Sequence, residues 1–155
     1  MKIVNFAVLI LMCFSISCST QQLSYVEPKR PDNIPKMAKW SENKWMYLEE
    51  KGTYTFWYAN GQKAQQGKLI NRKKEDLCTT WYENGIKEQE GMFKNDLAEG
   101  LWYTWYPNGK LMMKGYFLHD KEDGLWEGYD ENGKKVGEKI YKNGEMISEK
   151  YFPKK

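Results

Sequence analysis

The chain has 155 residues, with 24 basic and 21 acidic side chains for a net charge of +3, three cysteines and one histidine. That length holds one domain plus a short processing segment, and the two signs of charge are mixed along it, which excludes the clustered basic footprint of a nucleic-acid binder. Aromatic residues make up 15% of the chain, so its core must be built largely from rings.

The first stretch, MKIVNFAVLILMCFSISC, carries one basic residue, Lys2, then an apolar run over residues 3–14 and small residues up to Cys18. A run of about a dozen residues is well short of the roughly 20 that cross a bilayer as a helix, so it reads as the apolar region of a secretory signal. Ser15, Ile16 and Ser17 before Cys18 resemble a bacterial lipobox, after which the signal is cut and the cysteine is lipidated. Ser15 stands where an aliphatic residue is usual, which leaves ordinary signal cleavage nearby as the alternative. Residues 1–17 are thus expected to be a signal peptide, and residues 18–39 a lipidated Cys18 followed by a flexible tether containing Pro28, Pro31 and Pro35. Ser19 after the cysteine favours the outer membrane under enterobacterial-type sorting. Cys13 leaves with the signal, so Cys78 is the only cysteine left besides the anchor and a disulfide framework is excluded.

Residues 40–51 open the aromatic-rich part and are expected to cap the first repeat. From 52 to 145 the chain repeats itself at a period of 24 residues, with Asn-Gly at 60/61, 84/85, 108/109 and 132/133. A fixed period of this size marks stacked supersecondary units. Asn-Gly favours a type I′ turn, so each copy reads as a β-hairpin, for example strands over 101–106 and 111–117. Such a turn pairs Tyr54 with Gly67, Cys78 with Gly91, Trp102 with Gly115 and Trp126 with Lys139. Rings opposite Gly67 and Gly115 would cover those weak strand positions. The expected fold is all-β, a curled antiparallel β-meander or solenoid of about four 24-residue hairpin repeats and roughly ten strands. Residues 146–155 form a C-terminal capping strand and tail, its edge guarded by Glu149, Lys150 and Pro153.

Alternation along the strands places Trp57, Trp81, Trp105 and Tyr129 on one face. Tyr58, Tyr82 and Tyr106 fall on the other, with Leu69, Phe93, Phe117 and Tyr141. Trp102 and Trp126 read as core. Trp57, Trp81 and Trp105, opposite Ala64, Glu88 and Met112 in this register, have unevenly sized partners, and with Tyr129 they are the candidate binding face, since flat rings give large contact area at low entropic cost.

No catalytic set emerges. His119 lies in the turn sequence LHDKEDG, where an exposed turn residue is a simpler reading than a general base. Cys78 occupies an inward slot and reads as a small buried hydrophobe rather than a reactive thiol. Glu75, Asp76, Asp96, Glu99, Asp120, Glu122 and Asp123 recur between repeats, and with Arg72, Lys73, Lys74, Lys94 and Lys121 among them they read as a mixed solvated rim rather than a metal site. No cofactor or metal is expected.

The pattern G-L-W-x-x-W-Y-x-N-G-K…G-x-F, seen in full over residues 100–117, resembles the MORN-repeat variant of bacterial proteins, including the YwqK-type antitoxins. The resemblance covers roughly residues 52–141. It implies an exported protein, and some members are thought to neutralise toxins by binding them. MORN repeats also occur in plant phosphatidylinositol-phosphate kinases, but neither a phosphate-cradling glycine loop nor a kinase motif is present in this sequence. The expectation is a non-enzymatic, lipid-anchored envelope protein, most consistent with the outer membrane, on its periplasmic or surface face. It would serve as a repeat scaffold for a protein or a cell-wall polysaccharide, with the membrane reached through the lipid. An antitoxin or immunity protein is the alternative.

Overall fold

Sequence alternation broken by turn residues every 10 to 12 positions leaves room for nothing but strands, and the computed structural model, which describes residues 27–153, contains eleven of them. They are β1 (Lys39–Ser41), β2 (Lys44–Leu48), β3 (Thr53–Trp57), β4 (Lys63–Ile70), β5 (Lys73–Trp81), β6 (Lys87–Lys94), β7 (Leu97–Trp105), β8 (Leu111–Leu118), β9 (Lys121–Tyr129), β10 (Lys135–Lys142) and β11 (Glu145–Tyr151). All join one antiparallel sheet in chain order, each strand bonded only to its sequence neighbours, with β1 and β11 at the open edges. The fold is the expected all-β curled meander of repeating hairpins, with short β1 added to the anticipated number. The signal peptide, Cys18 and the beginning of the tether lie outside the described residues.

The chain reverses in two ways, and the Asn-Gly turns differ from expectation. The Gly61 N–H donates to the Tyr58 carbonyl at 3.0 Å and the Tyr58 N–H to the Gln62 carbonyl at 2.9 Å. Only the glycine has positive φ, at +86°. That is a three-residue loop, a type I turn closed by a glycine bulge, rather than type I′. The asparagine side chain explains the choice: Asn60 accepts from the Gln62 N–H at 2.9 Å and donates across to the Glu83 carbonyl of the next repeat at 2.9 Å. Asn84 and Asn108 repeat the arrangement. Type I′ geometry, with both central residues at positive φ, occurs between the repeats instead, at Asn71-Arg72, Asn95-Asp96, His119-Asp120 and Asn143-Gly144.

The longer loop shifts the register by one beside each turn, and a bulge after it restores the count. Trp57 therefore pairs with Lys63, Trp81 with Lys87, Trp105 with Leu111 and Tyr129 with Lys135. The expected partners Ala64, Glu88 and Met112 are instead the bulged residues. Beyond the bulge the pairs are those read from the sequence, Tyr54 with Gly67, Cys78 with Gly91, Trp102 with Gly115 and Trp126 with Lys139.

On one face the rings of Phe93, Trp102, Phe117, Trp126 and Tyr141 meet edge to face in series, with centroids 5.1, 5.6, 4.9 and 6.2 Å apart. Each such contact adds about 0.5–1.5 kcal/mol beyond the area it buries. A Cβ added at Gly91 would lie 2.1 Å from the Trp102 ring, and one at Gly115 would lie 2.0 Å from that of Trp126. The ring over Gly115 thus comes from the following repeat rather than from its hairpin partner Trp102. Tyr54 does cover Gly67 within its own hairpin. The ring series stops at Cys78, which is buried, with its Sγ 3.5 Å from the Tyr54 hydroxyl and 3.3 Å from the Gln65 amide nitrogen.

The opposite face is sealed, among the described residues, only at its N-terminal end. Ile34, Ala38, Trp45 and Trp57 form a buried cluster there, flanked by Trp40 and Tyr47. Residues 31–38, expected to belong to the tether, are packed against the sheet. Two tight turns, from the Ile34 N–H to the Pro31 carbonyl and from the Ala38 N–H to the Pro35 carbonyl, deliver Ile34 and Ala38 to the cluster. At the other end every residue of β11 is exposed.

Candidate functional site

The candidate face is built from the strand ends beside the Asn-Gly turns. Alternation brings Trp57, Trp81, Trp105 and Tyr129 to the same side, one per repeat, so successive rings stand two strands apart, about 9–10 Å. The corrected register sets Lys63 between Trp57 and Trp81, Lys87 between Trp81 and Trp105, and Leu111 between Trp105 and Tyr129. Lys63 Nζ lies 5.7 Å from the Trp81 ring centroid and Lys87 Nζ 5.6 Å from that of Trp105, a cation–π geometry. Trp105 also stacks on Tyr103 at 5.8 Å. Trp57 is 8% exposed because the cap covers it, whereas Trp81, Trp105 and Tyr129 are half-buried.

The next row inward is charged and internally paired. Lys87 meets Glu90 at 2.6 Å, Lys114 meets Glu127 at 2.6 Å, and Lys135 bridges Glu127 and Glu138. Hydrogen bonds from Lys114 and then Lys135 hold the Glu127 carboxyl below its usual range. In the first repeat the position of Glu90 is filled by Gln66, to which Lys63 donates at 3.3 Å.

One row further lies a feature the sequence reading missed. The cross-strand pairs Leu77 with Met92, Leu101 with Tyr116 and Leu125 with Ile140 are 38–55% exposed. They make an apolar stripe across six consecutive strands, β5 to β10, on the face that also bears Trp105. Contiguous exposed apolar side chains of this kind are a common feature of interaction surfaces. The signal was present in the sequence: each member recurs at 24 residues, immediately before the core-slot residue (Cys78, Trp102, Trp126) or immediately after its cross-strand partner (Gly91, Gly115, Lys139).

The recurring carboxylates have a structural task. Glu75 accepts from the Asn95 N–H at 2.8 Å, Glu99 from the His119 N–H at 3.0 Å and Asp123 from the Asn143 N–H at 3.2 Å. Asp96 accepts from the Lys74 N–H at 2.7 Å, and Asp120 from the Ala98 N–H. Glu75, Glu99 and Asp123 thus latch the type I′ turn of the following repeat, whereas Asp96 and Asp120, themselves turn residues, bind the strand amides of the preceding one, so five members of the expected rim are committed to backbone. The described residues contain no group of three or more acids, histidines or cysteines placed to hold a metal. His119 is exposed on its turn and Cys78 is buried, and no contact joins them. Cys18 lies outside the described residues.

Where the cap meets the first two repeats, a cleft of about 560 Å³ opens between Trp57 and Trp81. Lys63 and Gln62 line it together with Asn33, which donates to the Gly61 carbonyl at 2.9 Å.

The sequence matches the family described as MORN repeat variant over residues 50–71, 77–95, 98–119 and 122–143. No curated protein matches it. Among solved structures, S. aureus TarM in complex with fondaparinux, alpha-GlcNAc-glycerol and UDP is similar at 10% identity and a TM-score of 0.44, over 68% of this chain and 21% of that one. The accessory secretory protein 1, 2 and 3 structure from Streptococcus pneumoniae is similar at 12% identity and a TM-score of 0.30, over 68% of this chain and 18% of that one. The chain thus spans about a fifth of the length of the solved proteins it resembles.

Proposed function

Because the chain belongs to the MORN repeat variant family, whose repeats are binding modules compatible with a scaffold role, we propose that it is a non-enzymatic envelope scaffold. In this reading Cys18 carries the lipid, the outer membrane holds the anchor, and the sheet presents a docking surface to a protein or cell-wall partner. The observation that supports it is the apolar stripe of Leu77, Met92, Leu101, Tyr116, Leu125 and Ile140, a row of large side chains left uncovered on a face whose other end is sealed by the cap. The separation of His119 from Cys78 and the use of the recurring acids as turn latches favour binding over catalysis.

The test is metabolic labelling with a clickable fatty acid, comparing wild type with Cys18→Ala, and then fractionation. Label that depends on Cys18 and accompanies the membrane is the expected result. A photo-crosslinking residue at position 101 should then capture a partner that the same residue placed at His119 does not. A chain that takes up no label and stays in the cytosol would overturn the envelope reading.

A further inference from the structure

Lys63 differs from Lys87 and Lys135, which hold the same place in the second and fourth repeats, while the third has Leu111 there. Lys87 is neutralised by Glu90, and Lys135 by Glu127 and Glu138. Lys63 forms no ion pair among the described residues, because Gln66 stands where the second repeat has Glu90 and supplies only an amide oxygen. The one unneutralised ammonium of this row, among the described residues, lies at the cleft between Trp57 and Trp81. The lining has no carboxylate. Its remaining polar groups are the side-chain amides of Asn33 and Gln62. Glycines at 61 and 85, both at positive φ, bring bare backbone to its wall.

These parts match one ligand chemistry. An indole face takes the apolar face of a pyranose ring, amides exchange hydrogen bonds with hydroxyl and acetamido groups, and an ammonium without a counter-charge takes a carboxylate. A wholly apolar ligand would take water from Lys63 and the amides without offering a charge in return, and a neutral sugar would leave the ammonium without a counter-charge. We propose that this cleft binds a carboxylate-bearing saccharide unit, with the sugar face on Trp81 and the carboxylate on Lys63. The proposal deepens the cell-wall reading above and rests on it. Occupation turns Lys63 Nζ away from Gln66 and off the Trp81 ring toward the ligand carboxylate, freeing that ring for the sugar, and Trp57, largely under the cap, offers only its uncovered margin.

Isothermal titration of the full-length chain in detergent tests it with three probes. They are an oligosaccharide of alternating N-acetylglucosamine and N-acetylmuramic acid, an uncharged chito-oligosaccharide of equal length, and an oligoglutamate peptide. The carboxylated saccharide is expected to bind most tightly, with affinity falling as salt rises. Gln66→Glu, which installs the neutralising acid of the second repeat, should weaken it about tenfold, the scale of one charge-assisted contact. Lys63→Gln should do the same, and Lys150→Gln, on the exposed last strand, should leave binding unchanged. Melting curves confirm that each variant is folded, and Lys63→Arg should retain binding if charge is what matters. Equal binding of the two saccharides, undiminished binding by Gln66→Glu, or oligoglutamate binding as tightly would overturn the proposal. Loss of fatty-acid label at Cys18 would remove the anchor and leave this titration standing, so the two failures are distinguishable.

Discussion

At Gly115 a single methyl group probes the packing of the whole ring series. The added Cβ would lie 2.0 Å from Trp126, itself in edge contact with Phe117 and Tyr141, so neither ring can step aside without displacing its neighbour. Gly115→Ala is expected to cost about 1–3 kcal/mol, read as a lower denaturation midpoint at unchanged slope. Gly100→Ala makes the contrast, since nothing lies within 4 Å of its Cβ while its φ is +78°; the cost there is about 1–2 kcal/mol of backbone strain alone. Titration adds a second residue-level test. Burial, and then the contact with Cys78, pushes the Tyr54 hydroxyl well above its ordinary range. The unfolded tyrosine ionises near pH 10 while the folded one stays neutral, so the unfolded state holds fewer protons and stability falls as pH rises beyond that point. Glu127 acts at the other limb. Its folded pKa is lowered, so its contribution is present above the unfolded value near 4 and is lost as pH falls. The stability gap between wild type and Glu127→Gln should therefore shrink on acidification, in parallel melts taken between about pH 6 and pH 3.

Elements are joined by a small set of contacts copied from repeat to repeat. The hydroxyls of Tyr58, Tyr82 and Tyr106 donate to the carbonyls of Trp81, Trp105 and Tyr129 at 2.7, 2.7 and 2.8 Å, and the asparagines of the same turns make a parallel set of bonds. Tyr82→Phe should cost about 1 kcal/mol and loosen the second repeat from the third. Glu99→Ala removes the acceptor of the His119 N–H, and faster hydrogen exchange at that amide is the expected signature. These contacts also show what the sequence made legible. A strict 24-residue period with alternating strands was enough for the hairpins and for every hairpin pairing beyond the bulges. The Asn-Gly turn misled because both loop types favour that dipeptide, and the difference lies in where the asparagine side chain directs its hydrogen bonds, which is a contact between repeats. The acids were visible by their recurrence but read as solvated, since their role as acceptors depends on backbone amides roughly 20 residues away. The candidate rings were correctly grouped on one face, yet the lysines between them became visible only with the corrected register. Residues 31–38 look like a linker by composition, and only Ile34 and Ala38 give away that they pack.

The described residues as a whole form a linear array without long-range closure. Every strand bonds only to its chain neighbours, so stability is a sum of repeat and interface contributions. Removing residues 95–118 joins Lys94 to His119 and substitutes one type I′ turn for another at the same point in the period. The shortened chain is expected to fold cooperatively with the same β circular dichroism spectrum per residue and a smaller denaturant slope, whereas removing 12 residues, half a period, should leave it largely unfolded. The same connectivity decides how the protein yields to tension. The described chain enters and leaves the sheet at opposite edges, so a pull between its ends loads the strand pairs in sequence, as a zip fastener is opened, and no pair is sheared along its length. Stretched between two fixed points, such a chain would release hairpin after hairpin at low force. Each repeat of 24 residues would yield roughly 80 Å of slack, making the sheet an extensible leash that re-forms when the load is removed.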